Sequence, residues 1–286
     1  AVISKVGTNA QVCLFSNVAA DLVVDVNGYF PAGSTFVPLV PGRFLETRDQ
    51  ATVDGLYAGI GPLQAGVVVS LPVAGRNTVA VDAAAVVTNV TVVSPSAAGF
   101  VTVFPCGSPV PNSSSVNFVA GATVANAVVS KVGTNGQICL FSNVATDLVV
   151  DVNGYFPAGS SFQSVVPARL LETRSGLSTV DGLFAGQGPV PATGVVQLTV
   201  ANRGGVGVSA NAVVLNVTVV QPTGAGFVTV YPCGGAVPNS SSVNFVAGAT
   251  VANAVVAQVG AGGAVCLFSN VATHLVVDVN GWFATS

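Results

Sequence analysis

Methionine is absent from the 286 residues, histidine and tryptophan occur once each, and charged side chains make up only 7%. A typical globular domain carries about 25% charge. Eight Lys+Arg are scattered through a chain of net charge −3, so no basic stripe is available for nucleic acid or an anionic membrane surface. The mean hydropathy is strongly positive, yet no apolar run reaches the roughly 18 residues of a spanning helix, because Asn, Asp, Ser, Gly or Pro interrupts each one. Aromatics, at 7%, are too few for the girdles of a transmembrane barrel. The single His274 cannot supply a repeated metal cluster or a general base in each copy of a repeat. No metal and no cofactor is expected. A chain that starts at Ala1 and lacks methionine is expected to be a processed or partial product.

What is present is repetition. CLFSNVAADLVVDVNGYF from Cys13 returns as CLFSNVATDLVVDVNGYF from Cys139 and as CLFSNVATHLVVDVNGWF from Cys266. An upstream half occurs only twice: PGRFLETRDQATVDGLYAGIGP from Pro41 matches PARLLETRSGLSTVDGLFAGQGP from Pro167. The expected organisation is an incomplete unit over 1–36, a full unit over 37–160 and a second over 161–286. A period this long is a whole domain rather than one turn of a solenoid.

Within a unit the pattern is that of strands. In AVVLNVTVV, Val213, Leu215, Val217 and Val219 point one way, Asn216 and Thr218 the other. In HLVVDVNGWF, Leu275, Val277 and Val279 alternate with Val276, Asp278 and Asn280. Period two with β-branched side chains marks a strand with one buried face. About eight such segments per unit, separated by Gly, Pro, Asn and Ser clusters, predict an all-β chain of tandem antiparallel sandwiches or closely related barrels. The 36 opening residues carry about three of these segments.

Five cysteines fit the repeat. Cys106 and Cys139 are 33 apart, as are Cys233 and Cys266, so one disulfide per full unit is the simplest pairing, with free buried thiols as the alternative. Each bridge would contribute about 3–4 kcal/mol through chain entropy and implies an oxidising, extracytoplasmic setting. Cys13 has no partner at that spacing. It is expected to join a neighbouring chain or a missing segment. The half-unit around it is either a fragment, a body completed by strands from another molecule, or an extra sheet on the following unit.

These motifs resemble a tandem β-rich repeat of exported and cell-surface proteins from high-GC Gram-positive bacteria, whose units read much like PARLLETRSG, LNVTVVQPTGAGFVTVYPCG, NSSSVNFVAG and LVVDVNGYF. The resemblance covers essentially the whole chain. It implies noncatalytic surface modules, often attached to wall hydrolases, and it transfers no catalytic residue.

Tests for chemistry point the same way. Glu46 with Asp54, and Glu172 with Asp181, are the candidate acid/base pairs, but Arg43 and Arg48 flank Glu46, and Arg169 and Arg174 flank Glu172. An ion-pair cluster is the stronger reading, with Asp151 and Asp278 either meeting those arginines or bonding to backbone. Asp147 of the first full unit becomes His274 in the second, so the fold does not depend on that charge. No catalytic residue is assigned. The leading functional expectation is a secreted structural module that self-associates into a fibre or surface assembly. The alternative is a carbohydrate-binding module that holds a partner enzyme to cell-wall glycan. Tyr57, Phe184 and Trp282 would then be its contacts, with Tyr29 and Tyr155 as counterparts of Trp282.

Overall fold

Strands form wherever an alternating valine-rich segment finds a neighbour to ladder with. In the computed structural model, which describes residues 1–284, the first body is built from β1 (Val37–Glu46), β2 (Val68–Pro72), β3 (Ala83–Val93), β4 (Gly99–Pro105), β5 (Val116–Phe118), β6 (Thr123–Lys131), β7 (Gln137–Ser142) and β8 (Asp147–Pro157). The second repeats it with β9 (Phe162–Glu172), β10 (Gly194–Thr199), β11 (Ala210–Val220), β12 (Gly226–Pro232), β13 (Val243–Phe245), β14 (Thr250–Gln258), β15 (Ala264–Ser269) and β16 (His274–Ala284).

Each body is two four-stranded sheets. In the first their orders are β1-β8-β3-β6 and β2-β7-β4-β5; in the second, β9-β16-β11-β14 and β10-β15-β12-β13. Every strand pairing is antiparallel. Eight strands interleaved between two sheets in this order make a jelly roll, a sandwich of two nested Greek keys. The chain is all-β, as its alternation predicts.

The cores follow the alternation too. Leu215, Val217 and Val219 of β11, with Leu275, Val277 and Val279 of β16, are fully buried in the second sandwich. Val90, Val92, Leu148, Val150 and Val152 do the same in the first. A buried side chain of this size contributes about 1.5–3 kcal/mol. One disulfide staples each body across neighbouring strands: Cys106, just past β4, to Cys139 in β7, and Cys233, just past β12, to Cys266 in β15.

Residues 1–36 depart from expectation. Apart from a single 3-10 turn at Thr8–Ala10 they form no strand. The cause lies in the pairing rules of the full units. There, β6 ladders with β3, β7 with β2 and β4, and β8 with β1 and β3. The opening segment contains the counterparts of β6 to β8 and of none of their partners. Its extended backbone therefore has no strand to ladder with among the described residues, and Leu14, Phe15, Val23 and Val26 stand exposed.

Candidate functional site

The most elaborate polar construction in the molecule is the seam where one repeat unit meets the next. It starts from the Asn-Ser-Ser-Ser turn before β5. Inside the first body, Thr102 Oγ1 donates to the Ser113 carbonyl (2.6 Å), Ser115 Oγ accepts from the Val103 amide (3.0 Å), and Asn126 Nδ2 donates to the Ser115 carbonyl (2.8 Å). The turn is thus locked, and the Ser114 amide is left pointing outward. It donates to Asp278 Oδ2 of the second body at 3.0 Å.

Around that contact the two bodies exchange amides. Asn126 Nδ2 donates to Asn216 Oδ1 (2.8 Å), Asn216 Nδ2 to the Ser114 carbonyl (2.5 Å), and the Ala254 amide to Asn126 Oδ1 (2.9 Å). Asn216, Thr218, Asp278 and Asn280 share the face of the β11–β16 pair that turns away from its own core, and all four are buried by the neighbouring unit. Asn216, Thr218 and Asp278 are thereby taken out of water with hydrogen-bond partners from the first body.

Behind the seam lies the arginine–carboxylate cluster. Arg169 Nε donates to Asp278 Oδ1 at 2.9 Å and Arg169 Nη1 to Glu172 Oε2 at 3.2 Å, while Arg174 closes on Glu172 from the other side at 2.7 and 2.8 Å. In the first body Arg43 bonds Asp151 at 3.0 Å and Glu46 at 3.1 Å, and Arg48 bonds Glu46 at 2.8 and 3.0 Å. Burial pushes the Asp278 carboxyl up, against the pull of Arg169. Burial also works against the Glu46 charge, but the hydrogen bonds from Arg48 and the charges of Arg48 and Arg43 bring its pKa below the usual glutamate value.

Asp54 and Asp181 are not part of these clusters. Each is gripped by an arginine 22 residues downstream. Arg76 bonds both oxygens of Asp54 at 2.7 Å, and Arg203 bonds those of Asp181 at 2.7 and 2.8 Å. The hydrogen bonds from Arg76 lower the Asp54 pKa to about 2, and those from Arg203 lower Asp181 in the same way. The four candidate carboxylates thus have both oxygens occupied by arginine. The lone pairs a general base would use are already taken.

The aromatic candidates serve their own bodies. The Arg76 guanidinium lies 4.7 Å from the Phe44 ring and 5.4 Å from the Tyr57 ring, and Arg203 lies 4.9 Å from Phe184. The Trp282 indole donates to the Gly205 carbonyl at 3.1 Å. Tyr57, Phe184 and Trp282 are all part-buried, Tyr155 is buried, and Tyr29 is exposed in the opening segment. His274 sits 2.9 Å from Thr173 Oγ1, where the first body has Asp147 accepting from Thr47 Oγ1 at 2.6 Å. Cys13 is free and exposed. No group of three or more His, Cys, Asp or Glu that could hold a metal occurs among the described residues. A cavity of about 180 Å³ opens at the seam beside Asn112, Arg169 and Ser178, below the roughly 300–1,000 Å³ of ordinary ligand pockets.

Sequence reasoning missed Ser114, Asn126 and Asn216 as seam residues, since Ser114 and Asp278 are 164 positions apart. It also missed Arg76 and Arg203, although the equal 22-residue offsets from Asp54 and Asp181 were a usable signal.

No family model matches the chain, and no curated protein matches it. Among solved structures, the N-terminal CBM22-1–CBM22-2 tandem domain of Xyn10C from Paenibacillus barcinonensis is similar over 89% of this chain and 99% of that one. The identity is 10% and the TM-score 0.22, and a score that low carries no argument about fold or function.

Proposed function

We propose that the chain is a noncatalytic structural module of an extracellular or cell-surface assembly, whose working surface is the seam through which one repeat unit docks on the next. The observation that carries this reading is that the chain makes the same contact twice. The Ser114 amide meets Asp278, and the equivalent Ser241 amide meets Asp25 of the opening segment at 3.4 Å. Ala254 donates to Asn126 Oδ1, and Ala1, which holds the same place in its copy, donates to Asn253 Oδ1. A contact used again between different copies is the working principle of structural repeats.

Two disulfides suit an oxidising compartment outside the cytoplasm. The sparse charge leaves little repulsion between like surfaces. The resemblance to exported repeats of high-GC Gram-positive bacteria supports a noncatalytic surface role, and in this reading the half-unit is completed by strands from a neighbouring chain or a missing segment.

Binding of cell-wall glycan is the competing reading. Sedimentation with insoluble wall polysaccharide, read beside electron microscopy of the purified protein, separates the two. The structural reading expects no retention and regular particles or filaments. A monodisperse monomer retained on polysaccharide, and released by Trp282→Ala, would overturn it.

A further inference from the structure

Three equivalent phenylalanines meet at one point in the molecule. Phe30 lies near the end of the opening segment, Phe156 near the end of the first body and Phe283 near the end of the second. Their ring centroids are 5.8, 5.9 and 5.8 Å apart, close to an equilateral triangle. A second set is interleaved with them. Phe36 lies 4.7 Å from Phe30 and 5.0 Å from Phe156, and Phe162 lies 4.6 Å from Phe156 and 5.0 Å from Phe283. Between Phe283 and Phe30 no such ring stands among the described residues. Ile3, Val129 and Val256, one from each copy, pack against the same cluster. This is a threefold axis with five of its six phenylalanine positions filled.

The seam contacts run in one direction around that axis. The first body covers the Asp278 face of the second, and the second covers Asp25 of the opening segment. The Asp151 face of the first body is only partly covered: Asp151 is 24% exposed where Asp278 is 0%, and Asn153 Oδ1, though buried, has no hydrogen-bond partner. Two glycines mark what is missing beside the opening segment. A Cβ on Gly154 would stand 2.5 Å from Phe36, and one on Gly281 would run into Phe162, whereas Gly28 faces nothing within 4 Å. Gly133 and Gly260 lie flat against the backbones of Cys106 and Cys233, whereas Gly7 meets only its own turn at Gln11.

We infer that the repeat closes as a pseudo-threefold ring of three jelly rolls, and that residues 1–36 together with the Asp151 face form the receptor for the front half of one further repeat unit. The occupant is a polypeptide with the sequence character of residues 37–126. Its first strand supplies the sixth phenylalanine, its Pro-Cys-Gly strand lies on Gly7 and bridges to Cys13, and its Ser-Ser-Ser turn donates to Asp151. Closure after three units means that this interface does not propagate indefinitely; a fibre would be discrete heads in series. Bridging is an ordinary oxidation in which Cys13 and the occupant's thiol lose two protons and two electrons to an added glutathione disulfide, which is reduced to two thiols.

This inference rests on the structural reading above, and its test can fail separately from it. The full chain is co-expressed with residues 37–126 as a tagged polypeptide and oxidised with glutathione disulfide. A 1:1 complex is expected, linked through Cys13 on nonreducing gels. In Cys13→Ser it persists on native gels without the link. Ser114→Pro in the tagged polypeptide, which removes the donor to Asp151, weakens it on the order of tenfold. Equal crosslinking to a scrambled polypeptide, or a Cys13–Cys13 dimer in its place, would overturn the ring.

A fusion of residues 37–126 ahead of Ala1 keeps the test decisive if the tagged polypeptide is insoluble. In the fusion, amides over residues 21–31 should exchange at least about a hundredfold more slowly, and Cys13 should stop reacting with alkylating reagents. A Cys13 that stays reactive beside fast-exchanging amides defeats the inference, while retention on wall polysaccharide would sink the structural reading alone.

Discussion

Asp151 and Asp278 occupy the same place in two near-identical bodies and differ in one respect: the second is covered. Their arginine contacts are almost equal, 3.0 Å to Arg43 and 2.9 Å to Arg169. Yet Arg43 is 37% exposed against 10% for Arg169. The Arg43–Asp151 pair is therefore half-solvated in one body, and its counterpart Arg169–Asp278 is a buried link in a polar seam in the other. The comparison teaches that local sequence builds the cluster, whereas the neighbouring unit decides its energetic weight. Buried pairs are costly to break and surface pairs are not.

The largest expected effect breaks this comparison directly. Arg169→Ala leaves Asp278 buried without its cation and should destabilise the second body by about 3–5 kcal/mol. Urea unfolding followed by Trp282 fluorescence reads that body alone, because this is the chain's single tryptophan. Arg43→Ala, read by hydrogen exchange over residues 37–157, should cost about 1 kcal/mol or less. Equal losses would mean that coverage by the neighbour does not matter.

The disulfides are the control, since both close loops of the same sequence separation, 33. Cys106→Ser with Cys139→Ser, and Cys233→Ser with Cys266→Ser, should each cost about 3–4 kcal/mol. Unequal costs would reveal that the seam stiffens one body more than the other. Next in size, Gly154→Ala drives a methyl group into Phe36 and should cost about 1–3 kcal/mol in thermal unfolding. Gly28→Ala meets open space and should stay within about 0.5 kcal/mol.

The smallest expected effect is in pH dependence, where Asp54 and Asp278 carry opposite signs. Asp54 has its pKa lowered to about 2 by Arg76, so its contribution is present above the ordinary aspartate value and is lost as pH falls through about 2. Asp278 has its pKa raised by burial, so its contribution is complete in acid and is lost as pH rises through its folded-state value. Asp54→Asn should flatten the acid-side loss of stability in denaturation profiles taken across pH, and Asp278→Asn should remove a slope of the opposite sign. Matching slopes from the two variants would refute the assignment.

Much of the fold and of the ion-pair clusters is legible in the residue pattern. The inward set of β11 and β16 is the one the alternation marks, and Cys106–Cys139 and Cys233–Cys266 are the pairs the spacing suggests. The clustering of Glu46 with Arg43 and Arg48 follows from their closeness in the chain. Other features lie out of its reach. Asp54 lies near Glu46 in the sequence without joining its cluster, and only the fold brings Arg76 to it. The opening segment reads as strands by composition and forms none, because strand character is a property of pairs and its partners are not beside it.

By itself, then, the sequence determined what repeats locally: which residues face a core, where turns interrupt, which cysteines lie one loop apart and which charges sit together. These depend on period two and on short separations, which a single chain displays directly. The tertiary structure alone decided the interleaved strand order, the outward Ser114 amide meeting Asp278, and the three phenylalanines converging on one axis. The seam and phenylalanine contacts join residues more than a hundred positions apart, and such a contact has no local signature, because its energy appears only once distant surfaces have been folded and pressed together.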